Sequence, residues 1–305
     1  MNTLSTIRFF KRAEIDTTRW DAFIKNSAQY RIYALSNWLD HLSPGWSALI
    51  NADYSVVMPL PVKKKYGISY LAQPRFTQQL GLYSARPLSP AVAEDFLYHA
   101  AHLFSFAEIF LNTGTGSDAP AEKDNYILPL NNPYPEIRSR YSRSLTDNSL
   151  RPASKNQLKY IQQTDTAAAI DQYRQLYQQR MGLEDAAYHQ LEVLAAAMKK
   201  TGNCFTRQVI ITEGRPVATS LFFIDRQRIY NLCSATPPEG RKLNANYFLY
   251  DQLIREFAGS GLILDFEGST IPGIAAFYKK FGAHPEPYYF VKWNRLKWPL
   301  KIFKK

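Results

Sequence analysis

Asp265 and Glu267 stand two residues apart in the run Leu264-Asp265-Phe266-Glu267-Gly268-Ser269. On a strand, that spacing turns both carboxylates to the same side. At the carboxyl end of a strand in an α/β protein they are well placed for a site. Either could orient an attacking amine or take its proton. The alternative is that Asp265 caps a neighbouring turn and Glu267 pairs with a surface lysine. Further on, Phe277-Tyr278-Lys279-Lys280-Phe281-Gly282 sets two lysines beside a tyrosine. Ile274, Phe277, Tyr278 and Phe281 form one apolar helix face, which turns Lys279 and Lys280 away from it. A lysine there can donate to a developing oxyanion or to a phosphate, or the pair is simply solvated.

Upstream, a strand-like run ends in Cys233-Ser234-Ala235-Thr236 and meets the basic turn Pro237-Pro238-Glu239-Gly240-Arg241-Lys242 ahead of a long helix. Such a turn can aim free backbone N–H groups at a phosphate or pyrophosphate. The expected phosphate contacts are Ser234, Ala235, Gly240, Arg241, Lys242 and Asn244. Proline has no N–H to give, so Arg241 or Lys242 supplies charge where the backbone does not. A solvated basic turn is the alternative. In the amino half, Gln73-Pro74-Arg75-Phe76-Thr77-Gln78-Gln79-Leu80-Gly81 reads as an aromatic-bearing strand with Arg75, Thr77 and Gln79 on one side. Arg75, Gln78 and Gln79 suit a substrate groove; a hairpin with a polar outer face would look the same.

The elements that must hold these residues follow from periodicity. Helical stripes cover Thr18 to Ser27, Ser36 to Leu42, Pro90 to Phe106, Thr166 to Arg180 and Leu243 to Ala258, and a further stripe carries Tyr188, Leu191, Leu194 and Met198. Short apolar runs at Trp46 to Ile50, Tyr54 to Pro61, Ala107 to Leu111, Phe205 to Thr212, Val217 to Ile224, Arg228 to Cys233 and Leu262 to Phe266 read as strands. Ser269 or Thr270 can cap the helix that Pro272 opens. Each half orders its helices and strands alike, which predicts two α/β units, 1–130 and 131–305.

With 305 residues the chain holds one large core or two ordinary ones. Apolar residues make up 46% and charged residues 21%, which excludes a disordered chain. The excess of 37 Lys and Arg over 26 Asp and Glu gives +11; it allows a polyanion such as tRNA and equally a small anionic substrate. Cys204 and Cys233 fall on expected core strands and do not make a disulfide framework. His99 and His102 are spaced as an i,i+3 pair on a helix, but no set of ligands stands at metal spacing, so no metal is expected. No signal peptide or membrane span is visible, which places the chain in the cytoplasm by default. The tail from Asn294 to Lys305 interleaves basic and apolar residues. It either touches an anionic membrane surface peripherally or packs its apolar side on the domain.

At Tyr126 to Leu130 with the basic segment after it, and at Leu264 to Ser269 with Gly273 and Phe277 to Gly282, the sequence resembles the GNAT superfamily of acyltransferases. More narrowly it is similar to the Fem-type and BioF2-like branch, which joins two GNAT-like domains in tandem. The resemblance implies two mixed, twisted sheets flanked by helices, with the acceptor side in 1–130 and the donor side in 131–305. It implies transfer of an acyl or aminoacyl group to an amine, from acyl-CoA or from aminoacyl-tRNA. The acceptor is then a small molecule or a cell-envelope precursor, taken in the cleft between the halves. It implies that the donor arm enters where the strand Arg228 to Ser234 splays from Leu262 to Phe266, and that Tyr278 protonates the leaving group. An acyl-CoA-dependent N-acyltransferase acting on a small molecule or lipid precursor, and a GNAT-fold binding protein without catalysis, are the competing expectations.

Overall fold

The computed structural model describes residues 6–114, 121–268, 271–298 and 301. The chain divides into two compact units, 1–123 with 287–305, and 124–286. The division falls at 123/124 because Ile127, Leu128 and Pro129 pair with a strand of the second unit.

The strands of the first unit run β1 (Ile7–Lys11), β2 (Ser47–Asn51), β3 (Val56–Leu60), β4 (Val62–Lys65), β5 (Ile68–Ala72), β6 (Tyr83–Ser84) and β7 (Phe106–Leu111). The helices are α1 (Thr17–Lys25), α2 (Ser36–Leu42) and α3 (Pro90–Leu103). Strands β1, β2, β3 and β6 form one antiparallel sheet. In the other sheet β4 pairs antiparallel with β5, and β5 parallel with β7. Helix α1 begins at Asp16, whose carboxylate accepts from the N–H groups of Thr18 and Arg19. Leu49, Met58, Leu60, Leu71, Phe96 and Ile109 fill the core between sheet and α3. His99 and His102 do lie on α3, where each ring's Nδ1 stands 2.8 Å from the carbonyl one turn back. Among the described residues no group of three or more His, Cys, Asp or Glu could hold a metal.

The second unit runs β8 (Ala121–Pro129), α4 (Tyr134–Ser139), the helical turns α5 (Arg143–Leu145) and α6 (Arg151–Ala153), β9 (Lys159–Gln163), α7 (Thr166–Met181), α8 (Asp185–Lys200), β10 (Cys204–Ile210), β11 (Pro216–Ile224), β12 (Arg228–Ala235), α9 (Pro238–Lys242), α10 (Ala245–Phe257), β13 (Ile263–Asp265) and α11 (Pro272–Lys280). Its strands lie in the order β8-β13-β12-β11-β10-β9. Only β12 and β13 are parallel; the other pairs are antiparallel. Central β11 is buried along Val217 to Phe223, so both its faces are apolar or small, as a strand covered on both sides requires. Helix α7 starts at Asp165, which accepts from the Ala168 N–H, and stops at Gly182 in the left-handed region. On α10, Leu249, Tyr250, Leu253 and Ile254 give the buried stripe that meets Phe222, Leu264 and Phe266. The last strand, β14 (His284–Asn294), pairs antiparallel with β7 through residues 289–294, in the first unit. The possible caps Ser269 and Thr270 lie outside the described residues.

Gly240 in α9 is dictated by packing. A Cβ there would stand 1.7 Å from the Val217 carbonyl oxygen on β11. Gly240→Ala is therefore expected to cost roughly 1–3 kcal/mol, as overpacking against backbone does. Urea melts of the parent and the variant check this; equal midpoints would show that α9 moves off β11 freely.

In the carboxyl tail the Trp298 ring is 81% exposed, so it does not pack on the domain. Residues 299–300 and 302–305 lie outside the described residues.

Candidate functional site

Strand β12 is paired on both sides only along its first half. Its Arg228, Ile229 and Tyr230 face Ile263, Leu264 and Asp265 of β13, and there β13 ends. On the other side β12 stays paired with β11 as far as Ala235. Residues 231–235 thus have a strand partner on one side. The register slips opposite Leu221 and Phe222, where Leu232 is the extra residue of a β-bulge. A strand edge opened inside a sheet can receive an extended ligand arm.

The side chains around this opening are largely aromatic and buried. The Ser220 hydroxyl donates to Ser234 Oγ at 2.8 Å. Burial pushes the Tyr250 phenol up to about 12, although hydrogen bonds with Ser234, Ser220 and Asn231 draw it down. Burial also holds Tyr278 well above the usual tyrosine value, and the neighbouring Tyr250, Glu267, Tyr173 and Asp265 add to that. Tyr278 therefore keeps its proton at neutral pH, which suits it to give one rather than take one. Its ring stacks on Phe266 with centroids 4.4 Å apart. The Cys233 thiol is raised by burial and further by Glu267. Burial alone pushes Cys204 up to about 12, against a small pull from Lys199. Both cysteines are buried thiols, not nucleophiles.

Asp265 and Glu267 do not share a strand face. Glu267 lies past the end of β13 with φ +64°, followed by Gly268 at φ +70°. Two left-handed residues in succession make a turn, which breaks the two-residue alternation. Asp265 is fully buried. One of its oxygens accepts from Asn125 Nδ2 at 2.9 Å and from the Glu267 N–H at 3.0 Å; the other accepts from Arg228 Nη1 at 2.9 Å. Arg228 also donates twice to Glu286, at 2.8 and 2.7 Å. Burial pulls the Arg228 guanidinium down, but Glu286 and Asp265 outweigh it and hold it above its ordinary value. Asn125, Arg228 and Glu286 were not singled out from the sequence. A lone arginine opening an otherwise apolar strand was the available signal for Arg228.

The two lysines of α11 differ. Lys280 is half-buried and donates to the Tyr247 hydroxyl at 3.3 Å. Lys279 is exposed, with its ammonium 5.4 Å from the centre of the Tyr126 ring. Ile274, expected on the buried face with Phe277, Tyr278 and Phe281, is exposed.

The expected phosphate turn is mostly helical. α9 opens on Pro237 and Pro238, and the carboxylate of its Glu239 is tied to Arg215, with Arg215 Nη2 2.9 Å from Oε1. Arg241 and Lys242 are exposed. Asn244 is left-handed at φ +56° and links α9 to α10, and Ala235 is buried. A first turn with two prolines and a carboxylate is a poor cradle for a pyrophosphate.

In the first unit, Arg75 to Gln79 is a turn, not a strand, because Phe76 is left-handed at φ +57°. The expected alternation of sides is lost with it. Gln79 is buried and donates to Gln78 Oε1 at 2.7 Å; Arg75 is exposed. Thr77 Oγ1 accepts from the Trp38 indole at 2.9 Å.

Residues 150–280 match the model of an acetyltransferase (GNAT) domain. No curated protein matches the sequence. The structure of FemX superposes with a TM-score of 0.64 at 14% identity, covering 96% of this chain and 99% of that one. A conserved protein of unknown function from Bacteroides thetaiotaomicron gives 0.58 at 8%, covering 95% and 100%. N-myristoyltransferase of Saccharomyces cerevisiae, with bound myristoyl-CoA, gives 0.51 at 12%, covering 96% and 80%. At these identities the likeness is one of fold. The chain is built as two helix-flanked α/β units with the fold of these proteins, and its residues 150–280 match an acetyltransferase (GNAT) domain.

Proposed function

We propose that this protein transfers an acyl or aminoacyl group from a thioester or a tRNA ester to an amine, at the opening beyond Tyr230. The carrying observation is that β12 runs on to Ala235 after β13 has stopped at Asp265. The donor arm lies along 231–235, with Ser234, Ala235, Gly240, Arg241, Lys242 and Asn244 as its contacts. Glu267 holds the amine or takes its proton, since only a neutral amine attacks. The C–N bond forms as the donor C–O or C–S bond breaks. Lys279 or Lys280 offsets the charge that develops on the acyl oxygen or sits on the donor phosphate, and Tyr278 protonates the leaving group. Residues 1–130 are the acceptor side, with Arg75, Gln78 and Gln79 as contacts, and 131–305 the donor side. The acceptor is a small molecule or a cell-envelope precursor, and the cytoplasm is the compartment that holds both donors.

The chemistry of α9 favours the aminoacyl version. Its prolines and its Arg215–Glu239 pair fit a coenzyme A pyrophosphate badly, whereas the net charge of +11 suits a tRNA donor. Acyl-CoA is the second reading, because N-myristoyltransferase of the same fold holds myristoyl-CoA. Reversing Arg241 and Lys242 to Glu together is expected to weaken donor binding roughly tenfold at low salt. Calorimetry with acetyl-CoA and filter binding with aminoacyl-tRNA make the test. Unchanged affinity for both donors in a folded variant rejects α9 as part of the site. Binding of charged tRNA without binding of acetyl-CoA supports the aminoacyl donor.

A further inference from the structure

Asp265 is a fully buried carboxylate near the opening, and Asn125, Arg228 and the backbone of Glu267 hold its two oxygens. An exposed base it cannot be. Its contact with the Glu267 N–H bears on a residue that stands in a strained conformation, left-handed at φ +64° without being glycine. A backbone conformation of that kind persists only where surrounding bonds hold it. Here the hold starts on β8 with Asn125, passes through Asp265 at the end of β13, and is anchored by Arg228 at the start of β12, which Glu286 braces from the other side.

We propose that Asp265 is a positioning residue: it pins the Glu267 backbone so that the Glu267 side chain is presented at the β12–β13 opening. This rests on the reading of Glu267 as the group that handles the amine. Arg228 in turn fixes which oxygen of Asp265 serves Glu267, by claiming the other one. No substrate contact is assigned to Asp265.

Asp265→Asn separates these roles. An amide has one oxygen, and the Arg228 guanidinium competes for it with the Glu267 N–H. The charge wins, so the amide turns its NH2 toward Glu267 and the pin is lost. Hydrogen exchange of the 262–268 peptide, followed by mass spectrometry, is expected to show the Glu267 amide exchanging at least tenfold faster in the variant than in the parent. With whichever donor the parent turns over, kcat is expected to fall about tenfold or more while the donor KM stays within twofold. In a Glu267→Gln background the same change is expected to lower kcat no further, because both substitutions remove one function. Unaltered exchange at Glu267 overturns the proposal, whatever the kinetics show. So does a kcat loss that multiplies with that of Glu267→Gln, since a merely structural lesion adds independently. If Glu267→Gln is itself fully active, the reading of Glu267 fails, and the exchange result still decides whether Asp265 holds its backbone.

Should Asp265→Asn not fold, the double variant Asp265→Asn with Arg228→Gln carries the test. The glutamine oxygen accepts from the new amide NH2, which returns the amide oxygen to Glu267. Parent-like protection of the Glu267 amide, with kcat restored to within about fivefold, is the expected result. Protection restored with kcat still depressed would show that the pin is not what turnover needs.

Discussion

Arg228→Met is expected to destabilise the protein by about 3–5 kcal/mol. Methionine matches the aliphatic part of the arginine side chain, is apolar, and stops short of the guanidinium position. What it removes is the cation that Asp265 and Glu286 share. Asp265 is fully buried and cannot recover its lost partner from water, whereas Glu286 is partly exposed and can. The penalty therefore falls mainly on Asp265. It keeps hydrogen bonds from Asn125 and from the Glu267 N–H, but neither donor is charged. Guanidinium melts read the loss directly. Asp265→Asn added to Arg228→Met is expected to recover part of it, because the uncompensated charge is then gone. A folded Arg228→Met with the parent's midpoint would show that the cluster is not a stability element. Loss of stability without recovery in the double variant would place the cost on Glu286 instead.

How much of this could be read from the sequence follows from the range over which each feature is decided. Helices α3, α7, α8 and α10 are long and amphipathic, so their periodicity alone announces them. The buried runs of β11 and β12 are equally plain. Strands β1 and β9 were not anticipated: Ile7–Lys11 and Lys159–Gln163 carry too many polar residues to read as strands, and they form only because an edge is available to pair with. The conformation of the candidate residues was not legible. The two-residue spacing of Asp265 and Glu267 reads as strand alternation, but the Asp265 carboxylate accepts from the Glu267 N–H two residues on and closes a local turn, with Asn125 and Arg228, distant in sequence, holding that carboxylate in place. Gly240 reads as a phosphate-loop glycine in the sequence; the structure gives it a packing reason instead, since Val217 leaves no room for a Cβ. Phe76 in its left-handed turn undid the alternation expected around Gln78 in the same way.

Glu267→Gln is expected to lower turnover by roughly 10²-fold or more, in the range of a lost general base. The amide keeps the shape and the hydrogen-bonding reach but cannot take a proton from an ammonium. Stability should move by less than about 0.5 kcal/mol, because the position is half-buried and the backbone bond to Asp265 is untouched. Glu267→Gly makes the complementary point. A non-glycine residue at φ +64° carries about 1–2 kcal/mol of strain, which glycine relieves. The glycine variant should therefore be at least as stable as the parent and as inactive as the glutamine variant. Stability maintained while activity collapses is the signature of a side chain kept against its backbone preference for what it does. Steady-state rates and thermal melts on the two variants suffice. If Glu267→Gln turns over at the parental rate, Glu267 is not the base. The amine then arrives already neutral, having lost its proton to water, and the site works by holding donor and acceptor in reacting geometry beside Tyr278.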